Sequence, residues 1–384
     1  MIRPLFAVVS KNSFWTLSVA HTSKKALQRQ RKRDSVVYDV HSKDALNSKQ
    51  VYVFGFSATG ALGNEKYLGL HGKPGRAGVS HPVPLKCSSS MGVPLKAACG
   101  YGFTTYICEG NYGDFGVYGC GINSDGQLGS QSVGLKTELA SGNSVNVIPE
   151  PVRIDVRLDN TQKKIYRPSH VACGRAHTII SYENLKEPNN DTPPLIFSLG
   201  NNVFGQCGRE IIPGEKYDHD LEVITKIVLP PEIKSIKQLV CGQDHTLLLS
   251  SDGIVYTCGL GSDGQTGLGH YNVVDRFTAI KGSLINERVR LLSSRGDTVL
   301  ALTESNKLFA WGNNEYGQIW SLDQNVQVSE PIHLNLDHCI VPSESHLSPD
   351  NVHVGEIQSI ACAGSMCCIV NKIGQVNLVI LQFN

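Results

Sequence analysis

The sequence lacks a membrane-spanning segment and the common catalytic signatures. No stretch of its 384 residues approaches the roughly 18 consecutive apolar residues of a membrane helix. It has no G-x-x-x-x-G-K-[ST] loop and no G-x-S-x-G elbow, so P-loop and serine-hydrolase chemistry have no motif to carry them. It has no C-x-x-C pair to nucleate a zinc site. These absences favour a binding protein over an enzyme, and we expect neither a cofactor nor a bound metal.

Acidic residues are absent from the first 33 positions, which hold eight basic ones: Arg3, Lys11, Lys24, Lys25, Arg29, Arg31, Lys32 and Arg33. A basic, hydroxyl-rich and acid-free start is typical of a mitochondrial transit peptide, which we assign to residues 1–35 and expect to be disordered. The alternative is a disordered basic tail that binds nucleic acid. The rest of the chain has 27 basic and 34 acidic residues, so general nucleic-acid affinity is not supported.

Cysteine is frequent, with twelve copies, but the chain is too large for a disulfide-stapled scaffold. Four copies recur at one position of an internal repeat, just before or near a glycine: Cys99, Cys173, Cys241 and Cys362. Free cysteine behaves as a small buried hydrophobe. We therefore expect reduced, buried thiols.

One sequence motif, which we call the phrase, occurs five times: VYVFGFSATGALG, VYGCGINSDGQLG, IFSLGNNVFGQCG, VYTCGLGSDGQTG and LFAWGNNEYGQIW. Its first glycine stands at Gly55, Gly121, Gly200, Gly259 and Gly312. Self-similarity at such a long period indicates a repeat architecture. Although residues 259–264 spell G-x-G-x-x-G, the glycine-rich stretch that follows cannot form the helix of a dinucleotide site, so we interpret the phrase as a turn.

A single unit, residues 238–269, predicts two antiparallel strands joined at Ser251-Asp252-Gly253 and followed by a glycine-rich loop. Two strands are not stable alone and must stack on further copies. The segments between the phrases have room for two more strands each. The sequence therefore predicts an all-β chain built from four-stranded propeller blades.

Two motifs resemble the regulator of chromosome condensation family. One is C-G-x-x-H-T, at Cys173–Thr178 and Cys241–Thr246, and the other is G-x-x-x-x-G-Q-x-G, at Gly121–Gly129, Gly200–Gly208 and Gly259–Gly267. The resemblance covers residues 51 to about 375 and implies a seven-bladed β-propeller. The runs FGQCGRE and DGQTGLGHYN, together with the transit-like start, resemble the mitochondrial branch of the family.

The repeat weakens at the end of the chain, where Ile380 stands at the place of the next glycine. Five full motifs and part of a sixth are present. We therefore expect residues 36–384 to form a propeller that is incomplete at its C-terminus. The alternative is a six-bladed ring in which residues 36–50 supply the missing strands.

His177 and His245 occupy equivalent repeat positions, which argues against a catalytic role, and we expect core imidazoles that bridge backbone groups of adjacent strands. The residues before them differ between copies and should lie on one rim. Family members that are exchange factors contact a GTPase through such rim loops, so the resemblance implies GTPase contacts at Arg175, Gln243 and Asp244.

The resemblance implies a non-catalytic exchange factor in the mitochondrial matrix or on the matrix face of the inner membrane. The implied partner is a GTPase, namely the dynamin-related inner-membrane fusion GTPase, with peripheral membrane association at most. The alternative is a scaffold that holds RNA-modifying enzymes on mitochondrial ribosomal RNA during large-subunit assembly.

Overall fold

The computed structural model shows an almost entirely β-sheet protein. It describes residues 51–68, 78–85, 91–110, 113–131, 135–138, 144–184, 193–217, 224–319, 325–335, 355–374 and 376–379. The transit peptide predicted for residues 1–35 lies outside these ranges, as does Ile380.

Six antiparallel sheets follow one another along the described ranges, and we number them sheet 1 to sheet 6. Sheet 1 has two strands, and sheet 2 has five in the order β3-β4-β5-β7-β6. Their strands are β1 (Tyr52–Phe56), β2 (Gly78–Pro84), β3 (Val93–Cys99), β4 (Phe103–Glu109), β5 (Phe115–Ile122), β6 (Leu135–Glu138) and β7 (Ser144–Ile154).

Sheets 3, 4 and 5 each have four strands in sequential order, and sheet 6 has three. Sheet 3 comprises β8 (Tyr166–Cys173), β9 (His177–Asn184), β10 (Leu195–Gly200) and β11 (Thr225–Lys226). Sheet 4 comprises β12 (Ile236–Cys241), β13 (His245–Ser250), β14 (Val255–Gly259) and β15 (Val274–Ala279). The others are β16 (Val289–Arg295), β17 (Thr298–Thr303), β18 (Leu308–Asn313) and β19 (Gln327–His333), then β20 (Ile357–Cys362), β21 (Cys367–Asn371) and β22 (Val376–Val379).

The only α-helix in the described ranges is α1 (Asn160–Ile165), between β7 and β8. Asp159 caps it, because its carboxylate accepts from the amides of Thr161 and Gln162. Within the same ranges no helix has the length and apolar character needed to cross a membrane.

Sheet 4 shows how one repeat folds. β12 and β13 pair antiparallel, residues 251–253 turn the chain, and β14 returns alongside β13 before the glycine-rich loop leads to β15. All six residues of β13 are buried, because apolar clusters shared with sheets 3 and 5 cover both of its faces. The predicted antiparallel blade is confirmed.

The sheets stack side by side along a curve, and we call the space that their first strands enclose the central channel. Their first strands contact one another in chain order, β3 with β8, β8 with β12, β12 with β16, and β16 with β20. The apolar clusters lie between neighbouring sheets, one joining sheets 2 and 3, another sheets 3 and 4, and a third sheets 4, 5 and 6. Each sheet is therefore stabilised by its neighbours.

The repeated glycine is required by its backbone conformation. All five copies have φ in the left-handed region: Gly55 (118°), Gly121 (107°), Gly200 (92°), Gly259 (117°) and Gly312 (99°). At Gly259, a Cβ atom would lie 2.5 Å from the carbonyl oxygen of Asp244. The glycine therefore lets the loop start in close contact with the turn between β12 and β13.

A threonine fastens each of three loops to the following sheet. The hydroxyl group donates to a loop carbonyl at 2.7–2.8 Å in the pairs Thr104–Ala61, Thr178–Gln127 and Thr246–Gln206. In sheet 5, Val299 takes the place of the threonine, and the indole Nε1 of Trp311 donates instead to the carbonyl of Gln265 at 3.0 Å. We call these bonds the loop latches.

The repeated cysteines are packing residues. Cys173 and Cys241 are buried, Cys99 and Cys362 are half-buried, and all four are free thiols. Burial raises the pKa of Cys173 to about 12. The expectation of burial is confirmed for Cys173 and Cys241.

Candidate partner-binding surface at the channel mouth

The turns between the first and second strands of the sheets meet at one end of the channel. The amide of Arg175 donates to the carbonyl of Gln243 (2.8 Å), and the amide of Gln243 donates to the carbonyl of Gly296 (2.7 Å). The amide of Gly364 donates to the carbonyl of Arg295 (3.3 Å). We call this surface the channel mouth and define it by residues 100–102, 174–176, 242–244, 295–297 and 363–365.

Arg175 and Asp244 form a bidentate ion pair within the channel mouth. Nε of Arg175 lies 3.1 Å from Oδ1 of Asp244, and Nη2 lies 2.9 Å from Oδ2. The Asp244 side chain is 3% exposed, whereas that of Arg175 is 46% exposed. Burial raises the pKa of Asp244, and the arginine opposes that shift. Asp244 therefore orients Arg175, which presents its remaining N–H groups to solvent.

Gln243 links three turns. Its backbone bonds to the turns of sheets 3 and 5, and its side-chain Oε1 accepts from the hydroxyl of Tyr101 at 3.4 Å, in the turn of sheet 2. The mouth is thus a connected surface.

Asp297 adds a second carboxylate to the mouth. Its Oδ1 accepts from Nε2 of Gln265 at 3.2 Å. Burial, with smaller contributions from Asp263 and Asp244, raises its pKa to about 6. The position of Asp297 in its turn matches that of Asp244.

Two more carboxylates reach the same end of the channel from the glycine-rich loops. Asp125 accepts from the side-chain amide of Asn201, and Asp263 from that of Gln327, each at 2.9 Å. Both amides come from a neighbouring sheet, so these carboxylates are held in place. Together with Asp125 and Asp263 in the adjoining loops, the channel mouth therefore has four carboxylates. It has two guanidinium groups, those of Arg175 and Arg295.

A cleft of about 290 Å³ opens between sheets 2 and 3 at this end. Its walls mix aromatic, apolar and charged groups: Tyr101, Ile122, Asp125, Gln127, Arg175, Ala176 and Asn201. A cleft of this size accommodates one or two side chains of a protein partner.

The two histidines lie beneath the mouth and bond across sheets. Nε2 of His177 lies 3.0 Å from the hydroxyl of Thr246, and Nε2 of His245 lies 3.0 Å from that of Ser294. Both rings are fully buried, and burial lowers the pKa of each to about 3. The expected bridge to backbone groups is wrong, because the partners of Nε2 are hydroxyl groups of the next sheet; the assignment to the core is correct.

Arg175, Gln243 and Asp244 lie together on one rim, as predicted, but they differ in access. Asp244 is buried against Arg175, so its carboxylate acts through the arginine. Their contact with a GTPase stays a prediction. Sequence reasoning missed Tyr101 and Asp297, although alignment of the repeat copies places Tyr101 with Arg175 and Asp297 with Asp244.

The sequence profile of the Regulator of chromosome condensation (RCC1) repeat matches residues 116–181, and a second profile with that description matches 236–265 and 296–318. The mouse RCC1-like G exchanging factor-like protein is 33% identical over 89% of this chain and 68% of its own length. The chain belongs to the RCC1 repeat family. The human relative of the same description is 34% identical over 86% of this chain. The chain spans only 65% of that human protein.

Solved RCC1-family structures agree with this fold. Human WBSCR16 superposes with a TM-score of 0.70 and 32% identity, covering 86% of this chain and 74% of its own. Yeast RCC1 (Prp20), in a complex with Kap60, gives a TM-score of 0.58 at 16% identity, covering 85% and 65%, and shows the shared fold alone. The resemblance to the family and the propeller fold are confirmed.

Proposed function

We propose that this RCC1-family chain binds a GTPase at the channel mouth and promotes release of its guanine nucleotide. Relatives described as RCC1-like G exchanging factor-like proteins support the activity. An exchange factor needs no covalent chemistry. It binds the nucleotide-free GTPase more tightly than the loaded one, and linkage then obliges it to weaken nucleotide affinity by the same factor.

The observation that carries the proposed site is the contrast between repeat bodies and repeat turns. The strands and loop latches repeat from sheet to sheet, whereas one position of the turns at the mouth differs between copies: Tyr101, Arg175, Gln243, Gly296 and Gly364. Repeated residues build the fold, so recognition falls to the residues that differ. The excess of carboxylates there suits a basic surface on the partner.

The proposal includes a mitochondrial location and the identity of the GTPase. The acid-free start of the chain supports import into mitochondria, and the resemblance to the family's mitochondrial branch supports the dynamin-related inner-membrane fusion GTPase as client.

The test is release of labelled GDP from that GTPase, measured with increasing amounts of the protein. Wild type should accelerate release. Arg175→Glu breaks the bidentate pair and sets a second carboxylate against buried Asp244, so the turn loses its observed geometry. It should reduce the acceleration about tenfold, a free-energy change of about 1.4 kcal/mol. The matched control is Arg288→Glu, because Arg288 is also exposed and ion-paired but lies against the hairpin glycine Gly253, at the other end of the strands.

Unchanged release at saturating protein would overturn the exchange activity. Equal loss in the two variants would overturn the assignment to the mouth. A second experiment crosslinks the protein in mitochondria and recovers the bound RNA. Recovery of ribosomal RNA, without any effect of the protein on GDP release, would favour a scaffold role in large-subunit assembly.

A further inference from the structure

Arg295 breaks the repeat at a position that faces the channel. In the other turns the equivalent residue is small: Gly100, Gly174, Gly242 and Ala363. The reason for glycine is visible in three of these turns. A Cβ atom there would lie 1.9–2.1 Å from the ring of the residue three positions later, which is Phe103, His177 or His245.

Sheet 5 combines two changes. Three positions after Arg295 stands Thr298, whose small side chain leaves the space that a ring fills in the turns of sheets 2, 3 and 4. The arginine is therefore accommodated without a clash. The pair Arg295 and Thr298 replaces the pair of a glycine and a ring.

The Arg295 side chain crosses the channel. Its Nη1 donates to the carbonyl of Cys99 at 2.9 Å, and its guanidinium carbon lies 4.9 Å from the centre of the Tyr101 ring. Cys99 ends the first strand of sheet 2, whereas Arg295 ends the first strand of sheet 5, and sheets 3 and 4 lie between them in the stacking order. This contact joins sheets that share no packed face.

The same contact fixes the surface of the mouth. Tyr101, stacked on Arg295, bonds to Gln243, and Gln243 accepts from the amide of Arg175. In the described ranges, Arg295 forms no ion pair with a carboxylate, so its bonding capacity is directed to the carbonyl and the ring. Removing it would leave Tyr101 held by a single long hydrogen bond.

We propose that Arg295 is a cross-channel brace, a positioning residue that sets the spacing of the turns of sheets 2 and 5 and so preorganises the channel mouth for its partner. The inference rests on the proposed function only where it concerns the partner. The brace itself is a property of the free protein.

The test of the brace uses hydrogen exchange on the free full-length protein. Arg295→Met keeps an unbranched apolar stem and removes the guanidinium group with its donors and its charge, and the amides of residues 100–103 and 243–246 should exchange about fivefold faster. Arg295→Lys should recover part of the protection, because an ammonium group donates to the carbonyl of Cys99 but has no planar face for Tyr101.

The matched control is Arg290→Met. Arg290 also donates to carbonyl groups, those of Thr303 and Ile357, but it joins strands within sheet 5 and to the adjacent sheet 6. It should leave exchange in the turn of sheet 2 unchanged. Equal effects of the two variants there, or wild-type exchange in Arg295→Met, would overturn the brace.

A second arm measures GTPase affinity. If the brace preorganises the surface, Arg295→Met should weaken the binding of nucleotide-free GTPase about fivefold while the urea midpoint changes no more than in Arg290→Met. Faster hydrogen exchange with an unchanged affinity for the GTPase would overturn the proposed effect of the brace on partner binding. If wild type binds no GTPase at all, the proposed function fails. The hydrogen-exchange experiment still shows whether Arg295 acts as a brace in the free protein.

Discussion

At the scale of single residues, the burial of His177 and His245 makes the free energy of unfolding decrease in acid. Each has a pKa near 6.5 in the unfolded chain and about 3 in the folded one, so between these values only the unfolded chain binds the proton. The free energy of unfolding is therefore fully retained above pH 6.5 and falls as the pH drops below it. Asp297, whose pKa is raised to about 6, acts in the opposite direction.

Replacing His177 by phenylalanine should reduce this acid sensitivity. Phe103 occupies the equivalent place in sheet 2, so the ring fits against Gly174 as Phe103 does against Gly100. At pH 7 we expect a loss of about 1 kcal/mol, from the missing bond to Thr246. At pH 5 the variant should gain back about 2 kcal/mol relative to wild type, the cost of leaving one histidine neutral.

Urea unfolding of both proteins between pH 5 and pH 7 measures this difference. Asp297 is common to both, so it cancels in the comparison. Parallel pH profiles would show that the buried ring is protonated in the folded protein.

At the scale of the structural element, the loop latch is the unit that joins sheets. Thr246 donates to the carbonyl of Gln206 and accepts from His177, so one hydroxyl serves the loop of sheet 3 and its second strand. In sheet 5 a different donor forms the latch, because Val299 has no hydroxyl group and the indole N–H of Trp311 donates to the loop carbonyl instead. The requirement is a donor to the loop carbonyl, from either strand.

Thr246→Val should destabilise the protein by about 1–3 kcal/mol, because the carbonyl of Gln206 is buried and loses its hydroxyl donor. Thr278→Val is the control, since that hydroxyl bonds an exposed carbonyl in an outer strand. Urea midpoints of the two variants give the comparison, and equal midpoints would show that the latch contributes nothing.

At the scale of the whole molecule, stability should differ among the sheets. Sheet 4 has four strands and apolar clusters shared with both neighbours, whereas sheet 1 has two strands in the described ranges and is linked to smaller clusters. Two paired strands are marginal alone.

We therefore expect the amides of β1 to exchange at least about tenfold faster than those of β13 in the native protein. Hydrogen exchange followed by mass spectrometry resolves the two peptides. Equal protection would mean that the array opens only as a whole.

Much of the fold could be predicted from the sequence because its determinants are local. The glycine with φ in the left-handed region recurs in all five copies of the motif, and in sheet 4 the Ser-Asp-Gly turn lies between two β-rich runs, so local signals agree with the fold. The positions of Arg175, Gln243 and Asp244 on one rim followed from their place before the histidine. The access of Asp244 did not follow, because a carboxylate in a turn is ordinarily solvated.

The sequence by itself determined the repeat, the blade and the family, since each depends on residues within one unit. The tertiary structure alone decided which side chains meet at the mouth. Arg175 and Asp244 are 69 positions apart, and Arg295 and Cys99 are 196 apart. Only the stacking of sheets around the channel brings such residues within bonding distance, because no local preference encodes how far the array has curved by the fifth sheet.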